Sequence, residues 1–111
     1  MNETVFPGYE EYQAQQYSEA YSKLLPIAEA GDAEAQCMVG TLYQMGLGVK
    51  PDIEKAEYWY ERASQRGSGV ATNNLAGILA MRGQREESAR LYKLSKAQGF
   101  NHGPTLKERT S

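Results

Sequence analysis

Apolar residues in this chain recur at helical rather than strand spacing. Ala35, Val39, Leu42 and Tyr43 stand at i, i+4, i+7 and i+8, one face of a helix, and Asp32 is placed to cap its first turn. After Pro51 and Asp52 a second helix carries Ala56, Trp59, Tyr60 and Ala63 on one face. It stops at Gly67, where a left-handed cap costs glycine little. Two such helices make one αα-hairpin. The pattern predicts a further pair over about 68–82 and 85–98, with Leu75, Ile78 and Leu79 and then Leu91 and Tyr92 turned inward. Upstream, residues 16–30 form another second helix, with 9–15 as its short partner. Pro26 lies inside that helix and predicts a bend, since proline removes a backbone donor and crowds the preceding turn.

These hairpins are copies of one another. Laying 28–43 over 64–79 puts Gly31 on Gly67, an offset of 36 residues, and the same offset puts Asp32 on Ser68, Ala35 on Ala71, Val39 on Leu75 and Leu42 on Ile78. A third unit end follows at Gly99, 32 residues after Gly67, and Ala20, Ala56 and Ser88 each precede their glycine by 11 residues. The later copy is therefore four residues shorter, and the loss falls in its interhelical loop, 81–86.

The earlier copy is also specific in its residues. Gly31, Ala33, Ala35, Gln36, Gly40, Leu42, Tyr43, Gly46, Gly48, Val49, Asp52, Lys55, Ala56, Trp59, Tyr60 and Ala63 follow one motif, and the stretch 28–63 resembles the Sel1-like repeat, a relative of the tetratricopeptide repeat. The copy after Gly67 departs from it: Ala76 replaces the central glycine, Leu79 the tyrosine, and Ser88 and Ser95 two alanines. The resemblance covers about 9–100. It implies an all-α fold of stacked αα-hairpins in a right-handed α-solenoid, about two full repeats plus an N-terminal hairpin, and an adaptor or scaffold role. As a single domain over 1–111, the chain divides into an N-terminal hairpin at 9–30, a repeat at 31–66, a shorter repeat at 67–98 and a tail at 99–111.

Composition narrows the chemistry. Twelve basic and fourteen acidic residues give a formal charge of −2, with a pI near 5.4 and a mean hydropathy of −0.65. No segment gathers enough Lys or Arg to neutralise a row of phosphates, so neither nucleic acid nor a membrane surface is expected as a partner. Cys37 is the one cysteine and His102, in the tail, the one histidine. Neither a His-containing triad nor a zinc site can be assembled from them, and no catalytic residue, metal or cofactor is expected. Residues 1–10 lack a basic start and an apolar run, and no stretch of 18 apolar residues occurs, which predicts a cytoplasmic protein.

Function is then expected from surface rather than chemistry. A short hairpin cannot bury its apolar face alone, so stacking creates both the core and a long curved surface. The resemblance places the first helix of each hairpin on the concave side. At about 100° per residue, the side opposite Ala35, Val39 and Tyr43 carries Glu34, Cys37, Thr41 and Gln44, with Asn73 and Gly77 beside them in the next copy. These six are the expected contacts to a protein or peptide. The strip is nearly neutral and lacks the Lys or Arg of a carboxylate clamp. A dedicated inhibitor or immunity protein of a toxin or enzyme is the alternative to an adaptor. The apolar faces at the two array ends, with Phe100 and Leu106 over the C-terminal one, predict a weak homodimer.

Overall fold

The computed structural model describes residues 6–100. The predicted tail chemistry at His102 and Leu106 lies outside those residues. Among the described residues the chain forms six helices and no strand: α1 (Tyr9–Gln13), α2 (Tyr17–Glu29), α3 (Ala33–Met45), α4 (Ile53–Gln65), α5 (Gly69–Met81) and α6 (Arg85–Ala97). Each helix packs on the next in chain order, the arrangement of stacked αα-hairpins.

The caps explain where the helices begin. Asp32, Ser68 and Asp52 each hold an extended backbone conformation, and their side chains accept from the third residue onward: Ala35 N at 2.9 Å, Ala71 N at 3.1 Å and Lys55 N at 3.0 Å. Each bond satisfies one of the orphan N–H groups of a first turn. Before the first two stand Gly31 and Gly67, at φ 111° and 97°, a region an L side chain rarely enters. The α1–α2 turn needs a positive φ as well and takes it at Gln15, φ 63°, and α1 ends two residues earlier than the pattern predicts. Pro26 does not end α2, which runs on to Glu29. It sits in the last turns, and the hydrogen bond it removes is to the carbonyl of the exposed Ser22.

The core is a column of small and aromatic residues between hairpins. Ala20, Leu24, Ala28, Ala35, Val39, Leu42, Ala56, Tyr60, Ala63 and Ala71 are fully buried, and Trp59 is buried against Tyr58 and the Arg62 guanidinium. Gly40 lets α3 and α4 approach, since a Cβ built there would lie 2.7 Å from the Tyr60 ring. In the next copy Ala76 stands in that place, fully buried. The equivalent Tyr92 is not inward as the spacing predicts; it is 40% exposed on α6, the last described helix, while Leu79 and Leu91 are half-buried.

Polar groups buried at the two junctions solve one problem in two ways. Gln36 is fully buried, and its Nε2 donates to the carbonyl of Ala28 at 3.0 Å; among the described residues its Oε1 has no partner. One unit later Thr72 replaces Gln36, and the carbonyl equivalent to Ala28 is that of Ser64. It accepts from Gln98 Nε2 at 3.1 Å, while the Thr72 hydroxyl donates to Gln98 Oε1 at 2.6 Å. An amide from the C-cap of α6 thus replaces the amide lost from α5, as a second donor to a carbonyl that also accepts from the Gly67 N–H at 2.9 Å.

Two substitutions test this packing. Trp59→Ala should lower the unfolding free energy by about 3–5 kcal/mol through the cavity it leaves, and Gly40→Ala by about 1–3 kcal/mol by pushing Tyr60 off α3. Urea titrations followed by circular dichroism measure both; a midpoint for either variant equal to the parent's would contradict the assignment of that contact.

Candidate partner-binding groove

The first helices share one face, and a groove of about 480 Å³ runs across it. Tyr12 of α1, Ala33, Glu34, Cys37, Met38 and Thr41 of α3, Ser68 at the cap of α5 and Val70 within it form its lining. Three successive first helices therefore contribute to one concavity, as equivalent positions in a stack must. Glu34 on the rim is the one charged residue in the lining, and Val70, its equivalent one unit later, is 49% exposed.

One residue of the lining, Thr41, also takes part in the contact that joins α3 to α4. The Tyr60 hydroxyl, reaching through from α4, donates to Gln44 Oε1 at 2.7 Å and lies 3.1 Å from Thr41 Oγ1. Thr41 also donates to the carbonyl of Cys37 at 3.1 Å. Burial pushes the Tyr60 phenol up to about 12, against hydrogen bonds from Thr41 and Asn74 that act the other way. Tyr12 is raised too, first by burial. Cys37 is 9% exposed, and burial with the nearby Glu34 carboxylate pushes its thiol up to about 11. A thiol so raised is protonated and inert at neutral pH, the reverse of an activated nucleophile.

Of the six expected contact residues, Glu34, Cys37 and Thr41 line the groove, with Glu34 exposed, Thr41 half-buried and Cys37 in the floor. Gln44 and Asn73 are half-buried beyond the lining, and Gln44 is already engaged by Tyr60. Gly77 faces the Tyr92 hydroxyl, 3.8 Å from where its Cβ would stand. Cys37, Thr41 and Gln44 therefore also take part in packing, through burial and through the Tyr60 hydroxyl. Helical angle also puts Val70 beside Asn73 and Gly77 on the same side, and Val70 lines the groove. Sequence reasoning missed Tyr12, Ala33, Met38 and Ser68; Ala33 and Met38 each sit one residue from a counted position, within the angular width of the strip. Tyr12 belongs to a helix too short to show the repeat, and its ring stacking edge-on against Tyr17 at 5.9 Å is a tertiary fact.

The family model of the Sel1 repeat matches residues 33–68, the whole of α3 and α4 and the cap of α5. The chain contains a Sel1 repeat there. Sel1 repeats generally mediate protein–protein interaction and are typically non-catalytic. A comparison with curated proteins gave no match. The matched segment carries five of the eight groove-lining residues on α3 together with Ser68. Among the described residues no helix is long and apolar enough to cross a membrane.

The raised groups predict how the groove responds to pH. Tyr60 and Tyr21, each near 12 in the folded chain, keep their protons where the unfolded chain, near the ordinary phenol value of 10.0, has lost them. Their contribution is complete below pH 10 and is lost as pH rises from 10 to 12. Urea midpoints should hold steady up to about pH 10 and then fall; a flat profile to pH 12 would show these phenols to be solvated. At pH 8 the aromatic disulfide reagent DTNB should modify Cys37 at least about a hundredfold more slowly than it does in guanidinium, and equal rates would remove Cys37 from the floor.

Proposed function

We propose that the protein is a cytoplasmic adaptor or scaffold that seats a segment of a partner protein in the groove across α1, α3 and α5. The observation that supports this reading is the shared lining: one concavity, assembled from three first helices, with an apolar base of Cys37 and Met38, the exposed Val70 at its rim and a tyrosine wall at Tyr12. Such a base takes an apolar side chain of the partner as its anchor, since burying one contributes about 1.5–3 kcal/mol. Backbone hydrogen bonding to Gln44 plays little part, because its carbonyl is held by Tyr60. No feature of the groove favours the inhibitor reading over the adaptor.

With a single carboxylate at the rim, affinity should change little with salt. The test is photocrosslinking in the native host with p-benzoylphenylalanine in place of Val70, and in place of the exposed Tyr58 on α4. A specific adduct at Val70 and none at Tyr58 is expected. With the captured partner, Val70→Asp should then weaken binding at least about tenfold while the melting temperature stays with the parent's. Adducts at Tyr58 alone, or unchanged affinity for Val70→Asp, would move the binding surface off the first helices.

A further inference from the structure

The two junctions of the array are built from equivalent positions, and on one side their side chains differ throughout. At the junction of α2, α3 and α4, the Tyr21 and Tyr43 hydroxyls meet at 2.6 Å with the rings edge to face at 5.6 Å, and Lys55 Nζ lies 5.4 Å from the centre of the Tyr43 ring. Trp59 closes the cluster, 6% exposed. Advancing each position by one unit gives the junction of α4, α5 and α6. Tyr21 becomes Glu57, Leu25 becomes Glu61, Tyr43 becomes Leu79, Lys55 becomes Glu87 and Trp59 becomes Leu91.

Every aromatic ring of the cluster is thus lost, and the cation over Tyr43 is replaced by an acid. The space the rings fill at the first junction is open at the second. It is a groove of about 410 Å³ with Leu75, Leu79 and Leu91 in its lining and Glu57, Glu61 and Glu87 beside them. Arg82 pairs with Glu57 and Arg90 with Glu87, so the acids are partly balanced, while Glu61 is exposed and has no ion-pair partner among the described residues. This groove shares no residue with the one lined by Cys37.

We propose that this second groove is a docking site for an aromatic side chain flanked by Lys or Arg on a partner protein. The ring takes the place Tyr43 occupies one unit earlier, against the three leucines, and the flanking cation takes the place of Lys55, over the ring and next to Glu61 and Glu87. The partner supplies both parts that the first junction supplies from its own chain. Apolar contact gives the anchor, and the carboxylates select against acidic flanks. This site stands whether or not a partner also occupies the first-helix face.

The test is a ¹⁵N–¹H titration of the full chain with the peptide acetyl-Lys-Tyr-Lys-amide, against acetyl-Glu-Tyr-Glu-amide as the charge-reversed control. Saturable shifts at Glu61, Leu79 and Leu91 with the basic peptide, at least tenfold weaker with the acidic one, are expected. Leu79→Tyr refills the slot from within and should abolish them. If that variant fails to fold, Glu61→Lys should still reverse the preference between the two peptides. Absence of shifts, equal response to both peptides, or shifts centred on Cys37 and Val70 would overturn the proposal. Concentration-dependent shifts at Leu79 and Leu91 without peptide would assign the groove to a second copy, and nuclear Overhauser contacts from Leu106 to Leu91 would assign it to the chain's own tail; either would overturn it as well.

Discussion

The contact between Tyr60 and Gly40 is the constraint on which the rest of this array depends. It brings two helices close enough for a phenol rooted on α4 to reach through to the far side of α3, where its hydroxyl joins Thr41 and Gln44. The interface inside a hairpin and the groove on its first helices therefore meet at Thr41, which belongs to both. Burial of the ring supplies the apolar contribution. The hydroxyl would be costly at that depth without partners, and Thr41 and Gln44 satisfy it. The groove consequently has a floor fixed by packing and a rim, at Glu34 and Val70, free to vary.

Where the contact is relaxed, the structure changes around it. Ala76 stands in for Gly40, Tyr92 stands outward, and the second junction gives up the aromatic cluster that fills the first. The hydrogen bond that Gln36 makes within its own junction is made there by Gln98 from the following hairpin. A repeat can thus keep its backbone stacking while its interior is rebuilt, because each unit touches only its neighbours and needs only a filled, satisfied contact with them.

Much of this was legible in the sequence. The helix period, the capping Asp32, Ser68 and Asp52 and the glycines at the unit ends are local signals, and the helices begin where those signals lie. The face assignment held for Trp59 and Tyr60 because apolar spacing reports burial directly. It failed at Tyr92, whose spacing matches that of Tyr60, because the helix that would have to leave room for its ring, with Ala76 where Gly40 stands one unit earlier, lies elsewhere in the sequence. The groove was only half legible for the same reason. Helical angle places Glu34, Cys37 and Thr41 on one side of α3, but that Gln44 is taken by a tyrosine 16 residues away, or that Tyr12 forms the opposite wall, depends on how the hairpins stack.

The most direct test of this account is a double-mutant cycle between Tyr60 and Gln44, measured as urea unfolding free energies of Tyr60→Phe, Gln44→Ala and the double variant. If the hydroxyl and the amide form one unit that joins the hairpin to the groove floor, the two losses are not additive, and the coupling is about 1 kcal/mol or more. Losses that add to within about 0.3 kcal/mol would mean that the groove floor and the hairpin packing are independent, and would contradict the account.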